Sequence, residues 1–283
     1  MEKGRKHHYI PVFYLTQWCG PGGRLCQYSR PYDKVVAKPK YPAETGFERG
    51  LYTLRAHTSA VAEIIEDKLM GRTDHDASRA HRLLLDNNID GLDEGTRSGW
   101  ARFIISLLRR TPESLRGLGN RLTAMLVEQY PELKIVGDPE KDDRDMARLG
   151  VFERQRAMLL QKLLNSEQIG NHLINMRWSI VRFDSAAGPI MTSDRPFVTS
   201  NGMVKPDAHL IVPISPSQCF VATNTVETLK QLQALSADEF INRMNHKMAC
   251  QARKFVYGLD DSHLSFVSER LGRMESAAPS DAA

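Results

Sequence analysis

The sequence predicts an α+β fold, in which short strands from both ends of the chain form one antiparallel or mixed sheet with a large central helical segment. Two changes of hydrophobic pattern along the 283 residues support this class. Residues 1–55 are rich in Pro, Gly, Tyr and β-forming residues, residues 58–176 show the period of amphipathic helices, and residues 177–257 return to strand-like patterns. We therefore expect one domain over residues 5–258 with a helical insertion at about 58–176.

The first zone contains two short strand candidates. Leu25–Ser29 and Leu51–Leu54 consist largely of residues that favour strands. Turn-forming residues flank the first of them, with a Gly-Pro-Gly-Gly run at 20–23 and a proline at position 31. The zone shows no long helical period, so we expect short strands joined by turns.

Four apolar stripes predict helices in the central zone: Val61–Leu69, Trp100–Leu108, Leu118–Leu126 and Leu149–Leu163. The second stripe should end near Arg109 and Arg110, because cations suit the negative end of a helix dipole. Thr111, Pro112 and Glu113 then provide an N-cap, a first-turn proline and a first-turn acid, which together predict the start of the next helix.

The third zone contains five strand candidates: Trp178–Phe183, Pro189–Thr192, His209–Val212, Gln218–Ala222 and Phe255–Tyr257. Between the last two, Ser236 and Glu239 have the spacing of a capping box and predict a helix. We expect a C-terminal helix within residues 259–274. The small and polar residues 275–283 predict a disordered tail.

The overall composition is that of an ordinary globular protein. Hydrophobic residues make up 41% of the chain and charged residues 25%, which excludes a mainly disordered or coiled-coil state. No apolar run approaches the length of a membrane span, and no signal-peptide pattern follows the basic N-terminus, so we expect no membrane association and a cytoplasmic location. The formal charge of +4 permits contact with nucleic acid without arguing for it.

Several common functional signatures are missing from the sequence. It has no phosphate-binding loop of the Walker type, no dinucleotide-binding glycine motif, no hydrolase nucleophile elbow and no kinase set. The four cysteines have no zinc-like spacing, and we expect them to be reduced core residues.

Three residues have side chains suited to proton transfer. His7 and His8 can titrate near neutral pH, bind a metal or contact a phosphate, although adjacent residues of a strand point to opposite faces. Asp194 follows a predicted strand, where a carboxylate can act as a base, a metal ligand or a cap of the turn. A divalent metal, if one is bound, would use His8 and Asp194. A solvated basic N-terminus with one structural histidine is the alternative.

Four further residues are candidates for contact with a ligand. Arg109 and Arg110 meet a fresh helix N-terminus, and this combination suits phosphate, although capping of the two helices explains it as well. Arg195 stands beside Asp194. Asn245 lies next to the apolar face of the helix that the capping box opens, where its amide could hydrogen-bond a partner.

The chain resembles the family known as domain of unknown function 4238, found in bacteria and fungi. The resemblance rests on six blocks in order: His7–Leu15, Leu25–Tyr28, Arg109–Pro112, Met191–Pro196, Pro213–Pro216 and Ala252–Tyr257. It implies one domain over most of the chain and supports grouping His8, Arg110 and Asp194. It supplies no activity. Arg195 is a departure, because the family more often has a small polar residue such as Asn at this position.

Two functions fit these candidates. The first is a nuclease-like hydrolase of a phosphate-containing substrate, in which His8 and Asp194 are catalytic and His7, Arg109, Arg110, Arg195 and Asn245 bind the substrate. The second is a non-catalytic module that binds a nucleotide, an RNA or a protein partner. A third alternative is a structural domain in which the blocks encode only the fold.

Overall fold

The computed structural model of the protein describes residues 6–49, 71–131, 167–184, 188–200 and 202–273. Within them the fold is α+β, with helices and antiparallel strands, as the sequence predicts. The predicted elements Leu51–Leu54, Val61–Leu69 and Leu149–Leu163 lie outside the described residues, as does the tail 275–283. No helix of the described ranges combines the length and the hydrophobicity that a bilayer crossing requires.

The N-terminal zone folds into strands joined by short helical turns. Its strands are β1 (Lys6–His8), β2 (Leu25–Ser29), β3 (Val36–Lys40) and β4 (Phe47–Arg49), and the one-turn helix α1 is Val12–Leu15. Strand β1 pairs with β4, and Gly46 closes this pair with a φ of +63°. The Gly46 carbonyl accepts the N–H groups of Tyr9 and Ile10, and a side chain at position 46 would meet Ile10. These contacts with Gly46 fix the position of the backbone directly after His8.

The central zone is helical in the described ranges. Its helices are α2 (Gly71–Leu85), α3 (Glu94–Arg109), α4 (Pro112–Gln129) and α5 (Glu167–Asn175). Helix α3 ends at Arg109 as predicted. The Thr111 hydroxyl oxygen accepts the N–H of Ser114 at 3.2 Å, which confirms Thr111 as the N-cap of α4. One non-helical turn therefore separates two helices, and Arg110 lies in it.

The C-terminal zone combines a second group of strands with three helices. The strands are β5 (Arg177–Arg182), β6 (Thr192–Ser193), β7 (Val198–Thr199), β8 (His209–Ser215), β9 (Gln218–Thr223) and β10 (Phe255–Gly258). The helices are α6 (Val226–Gln233), α7 (Ala237–Gln251) and α8 (Leu264–Arg270). The Ser236 hydroxyl caps the N–H of Glu239, so the predicted cap is present. Helix α8 lies within the range predicted for a C-terminal helix.

The expectation of one sheet made from the two ends of the chain is wrong. The described strands form two four-stranded antiparallel sheets, ordered β3-β2-β10-β6 and β5-β9-β8-β7, and the separate pair β1-β4. Terminal strands do pair, because β10 lies between β2 and β6. Strand β9 instead pairs with both β8 and β5, and of these two pairs only β8–β9 is joined by a short hairpin. The strands are therefore spread along the chain.

Two aromatic residues of the N-terminal zone bind the C-terminal zone. The buried Tyr14 hydroxyl donates to the carbonyl of Pro213 at 2.7 Å and lies 2.8 Å from the hydroxyl of Thr192. The Trp18 indole N–H donates to the carbonyl of Ile190 at 2.8 Å. Both rings belong to the largest hydrophobic cluster, which includes residues from Tyr9 to Tyr257. These bonds hold the segment around Asp194 against the N-terminal zone.

We predict that Tyr14→Phe lowers the free energy of unfolding by about 1–3 kcal/mol, because the Pro213 carbonyl and the Thr192 hydroxyl lose their buried partner. Urea denaturation followed by circular dichroism measures the change. Tyr32→Phe is the control, since the Tyr32 side chain is 87% exposed and should tolerate the substitution without loss. Equal stability of the two variants would contradict the assigned role of Tyr14.

Candidate functional site

Asp194 is buried and holds three consecutive backbone N–H groups. Its carboxylate accepts the N–H of Arg253 at 2.9 Å, of Lys254 at 2.6 Å and of Phe255 at 3.1 Å. The Asp194 N–H in turn donates to the Phe255 carbonyl at 2.9 Å. Burial raises the pKa of Asp194 to about 6, and the three N–H donors oppose this rise. The carboxylate is thus mostly ionised at neutral pH, with its oxygens directed at the backbone.

This arrangement, which we call the Asp194 clamp, fixes the residues on either side of it. It joins the segment after β6 to the segment that leads into β10. The Arg195 carbonyl is further held by the side-chain amide of Gln251 at 2.5 Å. Arg195, Arg253 and Lys254 thereby lie around a single shallow cleft.

The cleft is lined by residues from four parts of the chain: Tyr9, Thr111, Pro112, Glu113, Asp194, Arg195, Arg253 and Lys254. It is a surface depression that is open to solvent and encloses no space large enough for a water molecule. We call this feature the cationic cleft, because its rim holds three basic side chains. The blocks that begin with His7, Arg109, Met191 and Ala252 each contribute at least one residue to it, so the cleft unites four of the six sequence blocks.

Helix α4 begins at this cleft, which Thr111, Pro112 and Glu113 line. Pro112 has no N–H, and the N–H of Ser114 is capped by Thr111. The N–H of Glu113 is therefore the first-turn donor that remains for a ligand, and the helix dipole adds a partial positive charge. Burial lowers the pKa of Arg195 most and the nearby Arg253 lowers it further, whereas the Glu113 carboxylate, which also lines the cleft, raises it.

The predicted residues His8 and Arg110 are not among the residues that line the cationic cleft. Arg110 is fully buried, and its Nη1 pairs with the carboxylate of Asp74 at 3.0 Å. The guanidinium lies over the ring of Phe103, 5.5 Å from its centre. The His8 ring packs against Phe47, and burial lowers the pKa of His8 while the charge of Asp74 raises it and that of Arg110 lowers it. His8 and Arg110 therefore interact electrostatically.

The other predicted site residues are distributed differently. His7 is buried on the face of β1 opposite to His8. Arg109 is half-buried, and burial lowers its pKa. Asn245 is buried, its side-chain oxygen accepting the N–H of Met191 at 2.7 Å and its Nδ2 donating to the Pro189 carbonyl at 3.1 Å. None of these three lines the cationic cleft, and the Asn245 amide holds the segment before Asp194 in place.

The structure also shows residues that the sequence reasoning did not select. Arg253 and Lys254 lie in a recognised block, but the sequence does not show that their N–H groups meet Asp194. Asp74 is 28% exposed and has no distinctive motif around it. Among the residues that the structure describes, no group of three or more His, Cys, Asp or Glu side chains is arranged to hold a metal ion. Both Arg253 and Asp74 become visible as candidates only through contacts that are distant in sequence.

We predict that Asp194→Asn lowers the free energy of unfolding by about 1–3 kcal/mol at neutral pH. An Asn amide has one acceptor oxygen, so its NH₂ group would face at least one backbone N–H of residues 253–255. Urea denaturation measures the loss, and Asp33→Asn on an exposed turn is the control. A change no larger than that of the control would show that the clamp does not stabilise the fold.

Comparison with known proteins places the chain in a family without assigning it an activity. A search of curated proteins gave no match, and a search of solved structures gave none. The model of a family described as "Protein of unknown function (DUF4238)" matches residues 6–262, which include every residue of the cationic cleft. With nine-tenths of its length matched, the chain belongs to the DUF4238 family.

Proposed function

We propose that the protein is a binding module for a phosphate-containing ligand, a nucleotide or an RNA, which it holds in the cationic cleft. One observation carries this proposal. Arg195 and Arg253 lie beside each other in the cleft, and within the described ranges neither has a carboxylate at ion-pair distance. Lys254 is the third cation, and its distant partner is Glu48 at 3.7 Å.

Two neighbouring guanidinium groups repel each other, and Arg253 accordingly lowers the pKa of Arg195 beyond the larger effect of burial. An anion between them relieves this repulsion and gains charge-assisted hydrogen bonds from both groups. Of the three cations that line the cleft, Lys254 is paired with Glu48 at 3.7 Å, and Arg195 and Arg253 therefore supply the positive charge that a ligand would meet.

The number and spread of the donors favour phosphate over a carboxylate. Arg195, the adjacent residues Arg253 and Lys254, and the start of α4 line the cleft from three separate segments of the chain. A tetrahedral oxyanion with several oxygens can meet donors from several directions, whereas a planar carboxylate suits a single fork. A phosphate of a nucleotide or of an RNA backbone provides such oxygens, and this favours nucleotide or RNA over a protein partner.

We expect the Arg195→Ala/Arg253→Ala double variant to bind single-stranded RNA about tenfold or more weakly than the wild type. The plot of log K against log salt should become shallower, by about 0.7 in slope for each phosphate that the variant leaves unneutralised. Fluorescence anisotropy of a labelled oligonucleotide over a series of salt concentrations measures both quantities. Arg243→Ala is the control, because Arg243 is exposed on α7 and pairs locally with Glu239. An unchanged slope in the double variant would exclude the cationic cleft as the RNA site.

Nuclease-like hydrolysis is a second candidate, and a specific observation at His8 favours it. The His8 Nε2 atom is buried and has no hydrogen-bond partner among the described residues, and burial lowers the pKa of the ring. A neutral imidazole with a free nitrogen can accept the proton of an attacking water. His8 itself does not line the cationic cleft, although the next residue, Tyr9, does. Asp194 would then position the cleft residues, since its carboxylate already accepts three N–H groups.

Hydrolysis predicts cleavage of a nucleic-acid panel, comprising single- and double-stranded DNA, total RNA and transfer RNA, with and without Mg²⁺ or Mn²⁺. Cleavage by the wild type should disappear in His8→Ala and persist in His75→Ala, whose exposed side chain lies on α2. Gel electrophoresis of the products decides between the candidates. No cleavage in any lane would leave binding without catalysis, and cleavage that survives in His8→Ala would remove His8 as the base.

A further inference from the structure

The cationic cleft contains one carboxylate that is not committed to the fold. Asp194 and Glu113 are the acidic residues that line it. The Asp194 oxygens accept the N–H groups of residues 253–255. The Glu113 side chain is half-buried, and among the described residues it has neither an ion pair nor a hydrogen bond. An unpaired carboxylate beside a bound phosphate costs free energy, unless the ligand also brings a proton donor to it.

The Glu113 carboxylate lies close to the other groups of the cleft. Burial has the largest effect on the pKa values of Tyr9, Asp194 and Arg195, and it raises the first two and lowers the third. The charge of Glu113 raises all three values. These residues come from two other segments of the chain, and all of them line the cleft together with Glu113. The carboxylate therefore lies among the side chains of the cleft.

Tyr9 supplies a proton donor in the same place. The residue is 3% exposed, and its hydroxyl has no hydrogen-bond partner within the described ranges. The hydroxyl is not one of the fully enclosed polar atoms that lack a partner in this part of the chain, so it remains accessible from the cleft. Burial raises the pKa of Tyr9, and nearby acidic groups raise it further. The phenol is therefore protonated at neutral pH and has an O–H to donate.

We propose that Glu113 and Tyr9 together bind a hydroxyl group beside the phosphate of the ligand, the 2′-hydroxyl of a ribonucleotide. This inference rests on the function proposed for the cationic cleft. A hydroxyl both donates and accepts, which complements a carboxylate acceptor and a phenolic donor. In RNA the 2′-hydroxyl lies on the carbon next to the one that carries the 3′-phosphate, so both groups can enter one cleft. The cleft thereby selects RNA over DNA.

Other ligand groups complement this pair of side chains less well. A second phosphate would be repelled by Glu113. An ammonium group could pair with Glu113, but it cannot accept the Tyr9 O–H, and Arg195 and Arg253 would repel it. A neutral hydroxyl bonds to both residues and adds no charge to the cleft. DNA has no group at the corresponding position of its sugar.

The test compares three labelled oligonucleotides of one sequence by fluorescence anisotropy: RNA, DNA and 2′-fluoro RNA. The 2′-fluoro form keeps the sugar pucker of RNA but has no hydroxyl to donate. We expect the wild type to bind RNA about tenfold more tightly than either of the other two. Equal affinity for RNA and 2′-fluoro RNA would overturn this inference and leave the proposed function standing. Absence of binding to all three would overturn both.

Variants of Glu113 separate recognition of the hydroxyl from simple charge repulsion. Glu113→Ala should abolish the preference for RNA over 2′-fluoro RNA and should not weaken binding of DNA, because a negative charge leaves the cleft. Glu113→Gln keeps a neutral acceptor and should retain part of the preference. Glu94→Ala is the matched control, since Glu94 is likewise a first-turn acid, on α3, and does not line the cleft. A preference that persists unchanged in Glu113→Ala would show that Glu113 only repels phosphate, against the proposal.

Tyr9→Phe is a second, independent variant. It should reduce the preference for RNA several-fold without lowering the melting temperature, because the hydroxyl has no partner to lose among the described residues. The Arg195→Ala/Arg253→Ala variant should instead weaken binding of all three oligonucleotides alike. A Tyr9→Phe variant with the full preference would remove Tyr9 from the proposed pair and overturn the proposal in this form.

The same hydroxyl and phosphate occur in RNA and in a free ribonucleotide. Competition with adenosine 3′-monophosphate and with its 2′-deoxy form distinguishes the two sources. Displacement of the labelled RNA by the ribonucleotide, and less by the deoxy form, would identify a nucleotide site. No displacement by either, with the preference for RNA intact, would identify RNA as the ligand. Equal displacement by the two mononucleotides would contradict recognition of the hydroxyl.

Discussion

The three hydrogen bonds to the Asp194 carboxylate are the interaction on which the candidate site depends. They connect a turn after β6 to residues 253–255, which lie 59 to 61 positions further along the chain. Without these hydrogen bonds, the basic residues on the two segments would not be held at fixed positions relative to each other. The Asp194 charge is also offset by the backbone dipoles that it accepts, so it stabilises the backbone while leaving the basic side chains available to a ligand. The carboxylate of Asp194, a catalytic candidate in the sequence, thus also holds the backbone of the site together.

The clamp is itself held by contacts from the N-terminal zone. Tyr14 reaches Thr192 and the Pro213 carbonyl, and Trp18 reaches the Ile190 carbonyl, so two aromatic side chains fix both ends of the segment before Asp194. Strand β10 supports the other side, since it pairs with β2 and β6. Pieces of five sequence blocks meet around this point. The residues of these blocks therefore pack against one another in one region of the fold. The contacts that pack this region also position the cleft.

The sequence predicted the local features of the fold well. Helix α3 ends at Arg109, Thr111 caps α4 and Ser236 caps α7, because capping depends on residues within one turn. Strand β2 also has the predicted bounds, because these depend on the local sequence pattern. The division into separate sheets was not predicted, since pairing between strands depends on chain topology and not on the pattern inside a strand. The hydrogen bonds that Asp194 accepts could not be predicted either, because its three donors are distant in sequence.

The environment of Arg110 could not be predicted from the sequence either. In the sequence it is a cation at a helix end, where exposure to solvent is the usual outcome. In the fold it is fully buried, and among the described residues its ion pair with Asp74 accounts for only one of its three nitrogens. The neighbouring Thr111 and Pro112 meanwhile line the cationic cleft. In the short turn between α3 and α4, Arg110 is thus buried in the interior, whereas the start of α4 lies at the cleft. Burying an arginine with unused donors costs free energy that a single ion pair does not fully recover, so Arg110 destabilises the turn in which it lies.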